Sequence, residues 1–417
     1  MSKIALLFPG QGSQYKGMGK FFYNNYKIAK DIFEESSEVL KMEVKDICLG
    51  ESENNINLTS YTQPAIFTTN YAMYKVFEKE YGLVPDYLCG HSLGEYSALT
   101  VSEAISFQEA LNLVKIRGEI MESSGEMGVM AAIVGIEEKY IQTECKKISI
   151  DKNKGVFISA INSSTEIIVS GQLKFVEKLK EKILEMEGLF TLLNLSGPFH
   201  SPLMTEAASL FKNELESLKI NNMKYPVISN VSALPYENKN DIIQNLYQQL
   251  FSPVLWKDTI DYLLQSEVKC FVEIGPKAVL RNLILNNYED ITSITYDKEM
   301  DRTTFKEYIK KRKLDLMSKF IAIAICTKNN NHNDDELYNQ MFKNEYKNYF
   351  QEFIEMKDKN EEPSQEKIVE GLEMLLSTFK GKNTSEIEIQ SRIKQIVENA
   401  TIKNYLDNSI GKNQIFY

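Results

Sequence analysis

The 417-residue sequence predicts an α/β protein that carries a small inserted domain and an α-helical tail. Three observations predict it. Over the first 125 residues, short apolar runs alternate with helical periods, as in α/β proteins. From about Gly128 to Leu195 the rhythm becomes strand, helix, strand, strand, helix, strand, the β-α-β-β-α-β order of a ferredoxin-like unit. After about residue 301 helical periods dominate.

Taken in order, "KIALLF" (3–8) and "DYLCG" (86–90) read as buried strands. "QPAIFTTNYAMYKVFEKEY" (63–81) has a helical period, with Pro64 suited to a first turn, and a second helix is expected over Phe107–Ser123. In the inserted unit, "VMAAIVG", "GVFISAIN", "EIIVSG" and "LFTLLNL" read as strands, with helices over 137–147 and 173–187. The α/β pattern then resumes, with "YPVISNV" (225–231) and "KCFVEIGP" (269–276) as strands. The larger domain is therefore discontinuous, 1–127 with 197–300, around a small domain at 128–196. The extension, 301–417, contains a polar, turn-like "CTKNNNHNDDE" (326–336). Phe342, Tyr346, Tyr349, Phe350 and Phe353 share one helical face, as do Ile368, Leu372, Leu375, Leu376 and Phe379. Gly381 is placed to stop the second of these helices, and Ser385-x-x-Glu388 is a capping box for another.

Composition excludes several function classes. The chain is 43% hydrophobic and 25% charged, the balance of a globular protein, and its net charge of −10 disfavours a nucleic-acid partner. No apolar run approaches the roughly 18–20 residues of a membrane-spanning helix, so no membrane association is expected. "MSKIALLFPGQG" reaches Pro9 and Gly10 after one short run and reads as a first strand, not a signal peptide. Five scattered cysteines, none in C-x-x-C spacing, argue against a disulfide framework or a metal site and for a reducing cytoplasm.

The chemistry centres on "CGHSLGEYSA" (89–98), where Gly90-His91-Ser92-Leu93-Gly94 has the G-x-S-x-G form of a nucleophile elbow. An apolar run precedes it and a helix-forming series follows, the strand–turn–helix setting that presents a serine oxygen beside a helix N-terminus. A serine hydroxyl needs a base, and the chain has three histidines. His332 lies in the polar linker and reads as a solvated loop residue. His91 adjoins the serine, but neighbours at a tight turn point apart, which suits it to shaping the site. His200, in "GPFHSP" where the small domain returns to the large one, is left as base or as a buried structural histidine.

Seven motifs then carry a family likeness: "FPGQGSQ" (8–14), "TQPAIF" (62–67), "GHSLGEYSAL" (90–99), "IRG" (116–118), "GPFHSP" (197–202), "QLFSPVLW" (249–256) and "EIGP" (273–276). In order and spacing the sequence resembles the malonyl-CoA:acyl-carrier-protein transacylases over roughly residues 1–300. The resemblance implies an α/β-hydrolase-like large subdomain. It implies Ser92 as nucleophile, His200 as base and Gln249 as the residue whose backbone carbonyl holds the histidine, a dyad where a hydrolase would use an acid-completed triad. It implies an oxyanion hole from the backbone N–H groups of Gln11 and Leu93. Arg117, which alone reads as a surface helix arginine, matches the arginine that pairs with the malonyl carboxylate, as a planar guanidinium can do with two parallel hydrogen bonds. Phe199 matches the position where malonyl-selective members carry Phe and methylmalonyl-selective ones a smaller residue. Asn162 matches a small-domain asparagine near the family's site, though a strand-end turn residue explains it as well. His91 is grouped with the substrate-binding residues.

The implied reaction is ping-pong transfer of malonyl from malonyl-CoA, through a seryl ester, to the phosphopantetheine thiol of an acyl carrier protein. The coenzyme A thioester is a substrate, and no tightly bound cofactor is expected. Two features depart from the family's pattern: Pro198 stands where Ala is frequent, and the 301–417 extension is absent from the short housekeeping members. The extension resembles the tail of free-standing acyltransferases that serve polyketide assembly lines in trans; fatty acid synthesis is the other pathway open. Two other functions share these features: a thioester hydrolase that strips carrier proteins, and a carrier-docking protein acting through 301–417.

Overall fold

A computed structural model describes residues 3–124, 128–330 and 344–397. The chain forms two compact units that meet in sequence at Glu299 and Met300.

Among the described residues, eight strands lie in the first unit: β1 (Lys3–Phe8), β2 (Tyr87–Gly90), β3 (Val129–Val134), β4 (Val156–Ile161), β5 (Glu166–Gly171), β6 (Leu189–Ser196), β7 (Val268–Glu273) and β8 (Thr292–Thr295). Four of them make a parallel sheet in the order β2-β1-β7-β8. Ile4 to Phe8 of β1 are at most 1% exposed, which fits a strand buried on both faces and read as a continuous apolar run. Helix Thr59–Tyr81 packs against helix Phe107–Ser123, and Gly118 makes this close: a Cβ there would stand 2.8 Å from the Thr59 carbonyl oxygen.

The other four strands form an antiparallel sheet in the order β4-β5-β3-β6. That order, with helices Glu138–Ile148 and Leu173–Glu185, is ferredoxin-like. Alternation sorts its side chains. Ala131, Ile133 and Val169 join Ile141, Val176 and Leu179 of the two helices in one core. Met130 and Ile168, on the opposite face, join Phe199, Trp256 and Phe271 in another. The backbone at Val254 bonds to β4 on both sides, Ile161 N–H to its carbonyl and its own N–H to the Ser159 carbonyl, which ties the segment after Gln249 to this sheet.

The second unit is helical where described: Glu299–Cys326, Asn344–Asp358, Gln365–Gly381 and Glu386–Val397. Its core includes Met317, Phe320, Tyr349, Phe353, Leu372, Leu375, Phe379 and Ile393. Ser364 and Ser385 accept from the backbone N–H of Lys367 and Glu388 at two helix starts. Lys382 Nζ donates to the carbonyls of Ala324 and Thr327 at the end of the long first helix.

Three expectations need correction. Pro64 sits inside its helix, because the helix begins at Thr59. Tertiary contacts extend it: Ser60 N–H donates to the Glu122 carboxylate at 2.8 Å, and the Thr59 turn rests on Gly118. "YPVISNV" is not a strand. It makes single bridges at Val227 and Ile228, with Leu88 donating to the Pro226 carbonyl and accepting from Ile228 N–H. Pro226 lacks an N–H, and Asn230 turns its side chain to other work. β8, too polar to stand out as an apolar run, was not expected. His332 and Phe342 lie outside the described residues, as does most of the 326–336 linker. No helix among the described residues is long and apolar enough to cross a membrane.

Candidate active site

The elbow forms where β2 ends at Gly90 and helix Leu93–Val101 begins. Ser92 has φ 52° and ψ −106°, a conformation that costs a non-glycine residue of order 1–3 kcal/mol. The surroundings impose it. Ser92 N–H donates to Asn230 Oδ1 at 2.6 Å, and Asn230 Nδ2 donates to the Gly90 carbonyl at 2.6 Å. His91 N–H donates to the Phe8 carbonyl. Glycines make the turn possible: a Cβ on Gly90 would stand 2.0 Å from the Gly94 carbonyl carbon, and one on Gly94 1.9 Å from the Phe8 carbonyl oxygen.

Ser92 Oγ lies 2.7 Å from His200 Nε2, and His200 Nδ1 lies 2.7 Å from the Gln249 carbonyl oxygen. A carbonyl only accepts, so Nδ1 carries the proton and Nε2 is free to accept from the serine. Burial, reinforced by the nearby Arg117 charge, pulls the His200 pKa down to about 3. The imidazole is thus neutral, the form a base requires.

Arg117 is 1% exposed, so it is not a surface arginine. Nη1 donates to Gln63 Oε1 at 2.8 Å, and Nη2 donates to Gln249 Oε1 at 2.9 Å and to Ser92 Oγ at 3.2 Å. Its guanidinium lies over the Tyr96 ring at 5.2 Å, and Nε has no hydrogen-bond partner among the described residues. Burial lowers the Arg117 pKa, but a guanidinium stays cationic near neutrality.

A cavity of about 650 Å³ opens on this cluster, lined by Gln11, His91, Ser92, Asn162, Phe199 and His200, among others. Phe199 is 3% exposed and presses on Gly197, where a Cβ would stand 2.4 Å from its ring. His91 Nε2 bonds Asn162 Oδ1 at 3.0 Å, and Asn162 Nδ2 donates to Glu166 Oε1 at 3.0 Å. Burial lowers the His91 pKa. Leu93 is the first residue of its helix, and a Cβ on Gly10 would stand 3.5 Å from Leu93 N, so the loop bearing Gln11 abuts the elbow. The Gln11 side chain itself donates to Thr59 Oγ1.

Comparison with known proteins matches the chain to a family. The acyl transferase domain model matches residues 5–322. The malonyl CoA-acyl carrier protein transacylase of Bacillus subtilis strain 168 is 41% identical over 288 residues, 68% of this chain and 90% of that protein. The chain belongs to the malonyl CoA-acyl carrier protein transacylase family. A family member from Clostridium perfringens, known by crystal structure, superposes with a TM-score of 0.70 at 34% identity, covering 75% of this chain and 98% of its own. A malonyl-transacylase solved in complex with its type II PKS acyl-carrier protein superposes equally well, at 29% identity over 73% of this chain and 98% of its own.

Four residues around the site escaped sequence reasoning: Gln63, Glu95, Asn230 and Tyr236. Gln63 and Glu95 lie inside motifs already singled out, and Ser92-x-x-Glu95 has capping-box spacing. Asn230 and Tyr236 carry no local signal. They reach the elbow from more than 130 residues away, Asn230 within the irregular segment misread as a strand and Tyr236 beyond it.

Proposed function

We propose that this protein moves a malonyl group from malonyl-CoA to the phosphopantetheine thiol of an acyl carrier protein, by a ping-pong route through a malonyl ester of Ser92. The observation that carries this reading is a buried cation at the nucleophile: Arg117 Nη2 is 3.2 Å from Ser92 Oγ, which His200 also contacts. A hydrolase of neutral esters has no use for that charge beside its serine, whereas an acyl group ending in a carboxylate does.

The steps follow from the positions. His200 Nε2 takes the Ser92 proton as Oγ attacks the thioester carbonyl. Charge develops on the carbonyl oxygen, and the N–H groups of Gln11 and Leu93 are the donors assigned to it, at the helix N-terminus. The C–S bond breaks, and the coenzyme A sulfur leaves with the proton from His200. The carrier thiol then gives its proton to His200, attacks the seryl ester and leaves as the malonyl thioester, while Ser92 regains its proton. Gln249 supplies an uncharged partner to Nδ1, so the imidazole keeps its tautomer without becoming basic enough to protonate in the resting enzyme. Phe199 bounds the space near the malonyl α-carbon, and Asn162 with His91 borders the thioester's approach.

The transfer serves a polyketide synthase in trans. The helical unit that begins at Met300 supports this part of the reading, since most of it lies beyond residue 322, where the family model's match ends. Incubating the protein with mixed acyl-CoAs and carriers of both pathways, followed by intact mass spectrometry, tests each part. Malonyl should appear on the wild-type enzyme and then on polyketide carriers in preference to fatty acid carriers. The Ser92→Ala variant should never gain the malonyl mass, and labelling that persists in it rules out the seryl ester. Arg117→Ala should lose malonyl loading while acetyl loading survives; equal loss of both would make Arg117 structural.

A further inference from the structure

Glu95 is buried with no exposed surface and lies one turn into the helix that Ser92 starts. It has the spacing of a capping-box carboxylate, but Ser92 N–H is already given to Asn230. Its two oxygens are spent elsewhere. Oε1 accepts from the Tyr236 hydroxyl at 2.5 Å and from Asn230 N–H at 3.1 Å. Oε2 accepts from Gln249 Nε2 at 2.6 Å.

The last contact matters because of what the Gln249 amide does with its other atoms. Nε2 also donates to the Ser92 carbonyl at 3.0 Å, and Oε1 accepts from Arg117 Nη2 at 2.9 Å. An amide has an acceptor end and a donor end of nearly equal shape, so its orientation is set by its partners. Here a carboxylate faces one end and a guanidinium the other. Were the amide turned over, its oxygen would face Glu95 and the Ser92 carbonyl and its nitrogen would face Arg117, three mismatches in a buried site.

We infer that Glu95 is a positioning residue for acyl selectivity: by accepting from Gln249 Nε2 it fixes the amide that holds Arg117 Nη2 against Ser92 Oγ. This rests on the reading of Arg117 as the group that receives the malonyl carboxylate. Glu95 is fully buried and does not line the cavity. It acts through Gln249, whose backbone carbonyl separately holds His200. The chain Glu95–Gln249–Arg117 thus links the elbow helix to the acyl-binding cation, while the histidine is held by an atom outside that chain.

Glu95→Gln tests this. The substituted amide keeps one acceptor, and the fixed Asn230 N–H together with the Tyr236 hydroxyl draws it to their side. An N–H then meets Gln249 Nε2, and the Gln249 amide loses the acceptor that fixes its side-chain position. The assay is loading of the full-length protein with malonyl-CoA and with acetyl-CoA, each with KM and kcat resolved, alongside a thermal melt. The malonyl-to-acetyl ratio of kcat/KM should fall by about tenfold, the worth of one hydrogen bond to a charged group, and mainly through KM for malonyl-CoA. Glu95→Asp, which keeps the charge but draws the carboxylate back from Gln249, should shift the ratio in the same direction, and it covers the case in which Glu95→Gln does not fold. A folded variant of either kind with an unchanged ratio, or with equal loss for both acyl groups, overturns the inference. Wild-type protein that loads no malonyl would instead overturn the function on which it rests.

Discussion

At the scale of single residues, the site runs on charges kept apart by burial. His200 bonds to an uncharged carbonyl and lies near a cation, and both its burial and Arg117 favour the neutral ring. The sign of the pH dependence follows. In its proposed role as base His200 works when unprotonated, and its folded pKa is lowered from 6.5 to about 3. Serine loading should therefore persist well below the ordinary histidine range as pH falls, for as long as the protein stays folded. Removing the cation should move the acid limb upward. Acetyl loading by Arg117→Ala, followed against pH, should lose activity at higher pH than wild type; a limb that stays in place means the guanidinium does not act on the imidazole. Stability carries the same imprint. Between about 3 and 6.5 the unfolded chain binds a proton at this position that the folded chain refuses, so His200 makes stability rise with pH across that window. Glu95 acts oppositely: burial raises its folded pKa from 4.5 to about 7, against the hydrogen bonds from Tyr236, Asn230 and Gln249 that favour its carboxylate, so its contribution falls as pH rises from about 4.5 to 7.

At the scale of elements, the elbow is the device that brings these residues together, and its glycines set its tolerance. Gly94→Ala would push a Cβ to 1.9 Å from the Phe8 carbonyl oxygen, which is backbone of a central strand and cannot step aside. The cost should be on the order of 3 kcal/mol, with loss of serine loading. Gly82→Ala is the comparison, because no atom lies within 4 Å of a Cβ there and only its φ of 52° opposes the change. Chemical denaturation of the two variants reads the difference, and equal stability would mean the strand yields where the packing says it cannot. The elbow was legible in the sequence because its requirements are local: a strand, a glycine, a serine, a glycine, a helix. The ferredoxin-like unit was legible for a similar reason, since period-2 and period-3.6 runs alternate within 70 residues. What escaped was non-local. Arg117 read alone looked exposed because its helix period does not reveal that Gln63, Gln249 and Tyr96 enclose its head. Asn230 sits after a β-like run, yet its value lies in reaching Gly90 and Ser92, a contact no window around it contains. The start of helix Thr59–Tyr81 was misplaced because Gly118 and Glu122, on another helix, decide it.

At the scale of the whole molecule, the core clusters described in the first unit and the one described in the second have separate memberships. Every site residue named above falls in the first unit, and the second builds its own interior from its four described helices. Leu375 belongs to that interior with no exposed surface, among Phe320, Phe353, Leu372 and Phe379. Truncating it to alanine removes buried methyl groups and leaves a cavity, a loss of about 2–5 kcal/mol. If each unit is stable through its own core, that loss stays in the second unit: calorimetry of Leu375→Ala should show one component of the melt moving down while another holds. The amount of the proposed malonyl ester on Ser92 should be unchanged, because no described partner of Ser92, His200 or Arg117 lies beyond Glu299. Transfer from the loaded serine to a polyketide carrier is the readout that would change if the helical unit helps to receive that carrier. A single melting component that shifts as a whole, with loading lost in parallel, would mean instead that the two units fold as one.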